Sequence, residues 1–533
     1  MLRFRRVHAF AICLVLAVLH TWPLAVHPGR YSRNDNADTE LNEWILAWVE
    51  HQLPRDPAHL FQANIFYPAP DALAFSEPLI VPALMGAPVA WSGGSPVLVY
   101  NLVLILGFAL TAFATYVLVE RWTGSHIAGL LSGSAFAFNT HTLTRLAHVQ
   151  GIHIYALPLT LLAADRLFRD GSLKAAALLT LALVLATYTS GYLIVFAVVM
   201  LGIATMVYAP DWVAHWRRVA PGLIVAGLAS GLALLPIYLP YRRAAREQHM
   251  VRTLDIVKDY SATPLGYLAS AGRIHFSTWS GRFFKDPVDS FFPGFTLILL
   301  TIVALVYVRR ETESTRRRIV LMAATAIVGA ILSLGTATPV YGWLFRVFPP
   351  MQGLRAAARF GNLFLLGMAV LAGFGVARIR RPAIAIALLV LVNAEALRAP
   401  FTYQPFKGIS PVYALLRDEP GPVVVAEQPF FPRWAIFQNA SYVLASTMYW
   451  RPLMNGYSGY TPETYQHYAD AFWYFPQDWA IQAMKDAGVT HVVVHPAAFH
   501  KDHQAVVPVL DARPDFELLG IGTDDVRVYR LKR

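Results

Sequence analysis

Four carboxylates, Asp35, Asp38, Glu40 and Glu43, crowd the stretch "RYSRNDNADTELNEWILAWVEHQLPRDP" (30–57), a polar interval between two hydrophobic segments. A carboxylate within hydrogen-bond distance of a hydroxyl can act as its general base. A further candidate, Glu77, follows in "NIFYPAPDALAFSEPLIVPALMGAP" (64–88). Cations of the complementary kind stand far along the chain. Arg355 and Arg359 in "GLRAAARFGN" are four apart, the spacing of one helix face, and a guanidinium fork matches two phosphate oxygens at once. "NTHTLTRLAHVQGIH" (139–153) adds His141, Arg145, His148, Gln150 and His153. His141 and His148 are seven apart, close to two helical turns, so the spacing predicts a shared face. Two imidazoles without a carboxylate partner make a weak metal set, so no metal site is assigned; His148 and Gln150 suit hydrogen bonding to a sugar or diphosphate better. "NGYSGYTPETYQHY" (455–468) offers Tyr457 and Tyr460, whose rings can stack on sugar faces while their hydroxyls bond to sugar hydroxyls.

Each of these residues also has a structural use. On spacing alone Asp38 reads as the N-cap of a helix over 39–53 and Ser76 as the cap of the next one, with Glu77 near its positive end. Asp35 and Glu40 read as solvated charges. Arg355 and Arg359 fit an interfacial anchor, the histidines fit amphipathic packing, and the Gly–Tyr run fits a strand-to-helix loop.

The elements that must carry these groups follow from composition. The chain has 533 residues, of which 56% are hydrophobic and only 14% charged, which excludes an ordinary soluble domain. Its net charge of +11 is spread as short basic clusters between apolar runs, not along one face, which argues against nucleic acid as a partner. Candidate spans lie near 8–26, 97–119, 126–140, 152–168, 173–189, 191–208, 219–239, 293–308, 318–335, 360–378 and 382–398, about eleven in all. The first is expected to be an uncleaved helix. The clusters "MLRFRR", "ERW", "DRLFRDGSLK", "HWRR", "RRETESTRRR" and "RIRRP" fall on alternate loops, so the N-terminus is expected in the cytoplasm. This order puts 27–95, 141–151, 240–292, 336–359 and the tail from about 400 outside. Within 27–95, Leu41, Trp44, Ile45, Trp48 and Leu53 recur at helical spacing, which predicts an amphipathic helix lying in the membrane interface. The single Cys13 excludes an intrachain disulfide.

The tail has another texture. "GPVVVAEQ" (421–428), "THVVVHP" (490–496) and "FELLGIGTDDVRVYRLK" (516–532) read as strands, the last folding on "GTDD" into a hairpin, and 461–487 reads as helical. The expected organisation is therefore a multi-pass helical membrane domain over 1–399, with 27–95 as an interfacial external loop, followed by a small extracytoplasmic α/β domain over 400–533.

The ordered series from the acidic residue before "LNEWILAWVEHQL", through "DPAHLFQANIFYPAPDALAFSEP", "YNLVLILGFALTAFATYVL" and "GLLSGSAFAFNTHTLTRLAHVQ", to "LRAAARF" and "NGYSGYTP" resembles the GT-C superfamily of membrane glycosyltransferases, in its bacterial branch. The resemblance covers most of the chain. It implies a polyprenyl-phosphate-linked sugar as donor and a cell-envelope acceptor. It also implies a bacterial inner-membrane location and an acidic residue of the first external loop acting in catalysis. Asp38 is the best match for that acid and Glu77 the second; the adjacent acidic pair of many members is missing here. Arg355 and Arg359 would then hold the phosphate, and His148, Gln150, Tyr457 and Tyr460 the sugar. No cofactor is assigned, and a divalent cation stays open.

No "GxxxxGK[ST]", no cysteine pair and no "GxSxG" is present, and no cytoplasmic loop is large enough for a nucleotide-sugar domain. A transporter of lipid-linked glycans would call for ionisable groups at mid-membrane. The candidate spans carry almost none, Asp165, Glu395 and Arg398 lying near span ends. An inactive relative serving as a scaffold is the other alternative.

Overall fold

The computed structural model describes residues 5–33, 36–250, 252–284, 289–499, 503–523 and 525–532. Asp35 lies outside the described residues. Each stretch expected to span holds one helix: Arg6–His20, Pro96–Thr123, His126–Ala137, Ala156–Asp170, Leu173–Thr189, Gly191–Val207, Trp216–Glu247, Phe295–Val306, Glu313–Ser333, Gly361–Val376 and Pro382–Ala396. Among the described residues, Pro96–Thr123, Trp216–Glu247 and Ala357–Val376 are long and apolar enough to cross a membrane by length and composition. Serine and glycine set several boundaries. Ser125, Ser172 and Ser190 accept from backbone N–H groups of the helices they precede, and Gly171, at φ 62°, ends Ala156–Asp170 in the left-handed region.

The chain forms two compact units that do not follow sequence order: Met1–Pro28, Asn101–Ile237 and Val251–Tyr403 make one, and Gly29–Tyr100, Tyr238–Met250 and Gln404–Arg533 the other. The first loop, assigned from sequence to the membrane domain, thus groups with the tail.

The first unit is helical. Gly361–Val376 is buried on nearly every side and packs on Glu313–Ser333 and Phe295–Val306. A Cβ on Gly367 would come within 2.6 Å of the Ala326 Cβ, so glycine is what lets two backbones approach this closely. Asp165 is no solvated helix end. It accepts from Trp122 Nε1 at 3.2 Å and Tyr208 Oη at 2.8 Å and pairs with Arg318 at 2.9 Å, all largely buried. A buried carboxylate needs such partners.

The second unit holds a four-stranded sheet. Strands β1 (Tyr31–Ser32) and β2 (Gln404–Pro405) form a separate antiparallel pair, and the sheet runs β3 (Val425–Gln428), β4 (His491–Val494), β6 (Arg527–Leu531), β5 (Phe516–Ile521). β3 and β4 are parallel, β5 and β6 the expected terminal hairpin. Central strands buried on both faces read as continuous apolar runs, and "HVVV" is one. The predicted helical stretch supplies Glu463–Phe472 and Asp478–Asp486.

Helix Ala37–Gln52 departs from its expectation. Every residue from Leu41 to Glu50 is buried, so it is a core helix of this unit and not an amphipathic one lying in a membrane interface. It packs on Ile80–Trp91 and on Ala440–Ala445, and Trp48 also meets Trp450 at 5.9 Å. Sequence spacing identified one apolar face; Asn42, Glu43 and Glu50 are buried as well, which no spacing announces.

Candidate functional site

One polar cluster lies within each unit. In the second unit, Asn36 caps helix Ala37–Gln52, its side chain accepting from the Asp38 N–H at 2.9 Å. Asp38 is therefore not the cap. It sits in the first turn, where the positive end of the helix favours a carboxylate, and Tyr457 Oη donates to its Oδ1 at 2.7 Å. Glu43, one turn on, is fully buried and accepts from Ser32 Oγ at 2.9 Å, which ties the helix to β1. Glu40 is not a solvated charge either: it is half-buried, and burial pushes its carboxyl up to about 7.

The tyrosine that reaches Asp38 is placed by backbone pairing between the first loop and the tail. Leu453 N donates to Asn64 O at 2.7 Å, Tyr67 N to Leu453 O at 3.0 Å and Phe66 N to Asn455 O at 3.1 Å. The fully buried Asn455 holds both backbone groups of Glu427, accepting its N–H at 2.8 Å and donating to its carbonyl at 3.1 Å. Gly456 lies so close to the Phe66 ring that a Cβ would meet it at 2.4 Å; no other residue fits beside Tyr457 without displacing the ring. Tyr460 donates to Gln248 O at 2.6 Å and packs on Phe75.

Glu77 is half-buried beside Tyr241, whose hydroxyl donates to Ser76 O. Ser76 does not cap the following helix: that helix, Ile80–Trp91, starts after Leu79, and Ser76 ends the short 3-10 turn Ala72–Phe75. A residue that the sequence reading passed over stands out here. Asp71 is fully buried and pairs with Arg243, Nη2 to Oδ1 at 2.7 Å, and with Gln62 at 2.8 Å. Nothing local marks it, since its partner is far along the chain.

In the first unit, Arg355 and Arg359 do not share an α-helix. Arg355 lies in extended chain, Arg359 in the 3-10 turn Ala357–Phe360, and the α-helix begins only at Gly361. They are nevertheless brought together around aromatic rings. Arg355 lies over Tyr260 at 5.1 Å and Arg359 over Tyr192 at 4.4 Å. Tyr192 Oη accepts from the backbone N–H groups of Arg355 at 3.1 Å and Ala356 at 2.9 Å, and Ala358 N donates to Tyr260 O at 3.0 Å. One phenol thus anchors the loop by its oxygen and carries a guanidinium on its face.

The 139–153 turn is likewise not one helix. Thr140–Leu143 is a single turn and Val149–Gly151 a 3-10 turn, so His141 and His148 do not share a two-turn face. His141 is buried and stacked on Phe291; burial, then the nearby Arg145, Arg359 and His148, hold its pKa far down, so it is neutral. Two stretches about two hundred residues apart therefore contribute to one basic cluster. Gln150 Oε1 and His141 Nδ1 are buried and, among the described residues, have no hydrogen-bond partner, which costs about 1–3 kcal/mol per group and marks positions a polar ligand can complete. His153 does not join them: it is fully buried and bonds to Val103 O at 3.0 Å. Among the described residues no group of three His, Cys, Asp or Glu side chains is arranged around a common metal position.

No family profile and no curated protein matches this sequence. Solved structures do match. The arabinofuranosyltransferase AftD from Mycobacteria superposes over 99% of this chain and 40% of its own, with a TM-score of 0.63 and 15% identity. The oligosaccharyltransferase of Archaeoglobus fulgidus, in the apo form, superposes over 95% of this chain and 71% of its own, with a TM-score of 0.51 and 14% identity. The chain has the GT-C fold. Its helical architecture fits a polytopic membrane fold, and it spans less than half the length of the mycobacterial protein that it matches. The superfamily drawn from the ordered motifs is the one to which these neighbours belong.

Proposed function

We propose that the chain is a glycosyltransferase that moves a sugar from a polyprenyl-phosphate donor to a hydroxyl of an extracytoplasmic acceptor, at the outer face of a bacterial inner membrane. The observation that carries this reading is the placement of Asp38. It is a first-turn carboxylate held by Tyr457 from a Gly-rich tail motif, in a chain of GT-C fold. In the reaction, the bond between the sugar's anomeric carbon and the phosphate oxygen breaks, and the lipid phosphate leaves as a stable anion that needs little acid assistance. The acceptor oxygen bonds to that carbon, and its proton passes to the Asp38 carboxylate. Tyr457 orients the carboxylate, and Glu77 is the supporting acid. Arg355 and Arg359 are the phosphate ligands, suited to it by charge and fork geometry. His148 and Gln150 bond to sugar or phosphate oxygens, and Tyr460 to the sugar.

The test is reconstitution of the full chain in liposomes with radiolabelled polyprenyl-phosphate sugar. Wild type should form glycosylated product, and Asp38→Asn should lose most of it while still inserting and folding. Label that crosses the bilayer without new product would make the protein a transporter. Product formation unaffected by Asp38→Asn would remove Asp38 as base.

A further inference from the structure

The second unit contains a cavity of about 470 Å³ that the reaction above does not use. Glu40, Ser410, Tyr413, Ser441, Tyr442 and His495 supply its polar and aromatic lining. Glu40 comes from the same helix as Asp38, but two residues further on. Two helical residues are about 200° apart around the axis, so the two carboxylates leave the helix on nearly opposite sides. The cavity is therefore distinct from the position Asp38 shares with Tyr457.

Its wall is braced from behind by Glu427. This carboxylate has no solvent exposure; its Oε2 accepts from Tyr413 Oη at 2.9 Å and bonds to His495 Nε2 at 2.5 Å. Its Oε1 is buried and, among the described residues, unpartnered. The His495 ring stacks on Tyr442 at 4.5 Å and 23°, while Tyr413 stacks on Tyr449. Two rings are thus locked in place by packing and by a buried acid, which is the preorganisation that a binding site needs and a loop surface lacks.

The lining chemistry selects the ligand class. No Lys or Arg is among the lining residues, so the cavity lacks a fixed cation for a phosphate or another anion. Hydroxyls and a carboxylate stand among aromatic and small apolar side chains, a mixture suited to a polyhydroxylated ring with one apolar face. A volume within the usual range of small-ligand sites, about 300–1,000 Å³, admits about one or two sugar rings. We propose that this cavity binds a neutral saccharide of that size, at a site separate from the Asp38 reaction. Glu40, brought near neutrality by burial, can both accept from and donate to sugar hydroxyls there.

The experiment is saturation-transfer NMR on the full chain in detergent or nanodiscs, with maltose, cellobiose and xylobiose as neutral probes and a glucuronic-acid disaccharide as the anionic one. Ser441 is exposed at the start of Ala440–Ala445, so Ser441→Trp fills the cavity without displacing buried atoms. At least one neutral probe should bind wild type, and Ser441→Trp and Glu40→Gln should each weaken it by about tenfold, a change of ~1.4 kcal/mol. Asp38→Asn should bind it as wild type does. Absence of binding by every neutral probe, binding indifferent to Ser441→Trp, or preference for the anionic probe would each overturn the proposal. Loss of binding in Asp38→Asn with retention in Ser441→Trp would do the same, by moving the sugar to the Asp38 side. The readout needs no transfer, so its failure and the failure of the proposed reaction are separable.

Discussion

The two units place charge in different ways. In the first, Arg355 and Arg359 are positioned by aromatic faces and by one tyrosine hydroxyl that receives two backbone N–H groups. In the second, Asp38 is positioned by a helix terminus and a hydrogen bond from a loop that is itself pinned by Asn455 and Gly456. A guanidinium over a ring face is held by its charge and its flat shape together. A carboxylate gripped at one oxygen is aimed. The contrast suits a cation that binds phosphate and an acid that must meet one particular proton.

The largest effect expected from this contrast is at the aimed group. Asp38→Asn should reduce transfer by about 10²–10⁴-fold, the range for loss of a general base, measured as initial rate in the liposome assay. A loss below about tenfold would mean that aiming serves structure and not chemistry. Arg359→Lys should come next, at about 10–100-fold in kcat/KM for the lipid donor, because an ammonium keeps the charge but not the planar fork stacked on Tyr192. Full activity with lysine would reduce the stacked cation to a point charge.

A third prediction concerns stability of the second unit. Burial pushes Glu50 up to about 8, and burial with Arg55 nearby pushes His51 down to about 4. A carboxyl whose folded pKa is raised binds its proton more tightly when folded, so its stabilisation is full below about 4.5 and is lost as pH rises to 8. His51 acts in the opposite sense between about 4 and 6.5, where the unfolded state takes up the proton. Above 6.5 the Glu50 effect stands without it, so the melting temperature of this unit should fall between pH 6.5 and 8. Glu50→Gln should remove ~2 kcal/mol of that loss, read by thermal unfolding at the two pH values. An unchanged slope in the variant would show that Glu50 is solvated. The smallest effect is expected for Tyr457→Phe, a few-fold drop in kcat with KM little changed, since the carboxylate stays and only its orientation loosens.

Much of the first unit was legible in one dimension. Hydropathy and basic loop clusters located a helix at each stretch expected to span, because a helix in an apolar medium satisfies its own backbone and needs only a run of apolar side chains. The strands "VAEQ" and "HVVV" and the terminal hairpin were legible for a similar reason: β-branched runs and turn residues are local signals. Capping failed by one or two residues at Asp38 and by more at Ser76, because Asn36 and Leu79 occupy the boundaries and several neighbouring types cap equally well. The helix face assumed for Arg355 and Arg359 failed because the chain leaves helical geometry between the 3-10 turns Pro349–Gly353 and Ala357–Phe360. Asp71 and Glu427 gave no signal, since a lone acid in a loop or strand looks alike whether solvated or buried.

By itself, the sequence determined a membrane-type composition, a helix at each stretch expected to span and the strand content of the tail, all of which are sums of local preferences along the chain. Only the tertiary structure decided that the first loop folds with the tail, that Tyr457 donates to Asp38, and that Glu40 lines an open cavity. Those outcomes depend on which distant segments exclude water from a given side chain, and burial by a remote segment leaves no periodicity to read.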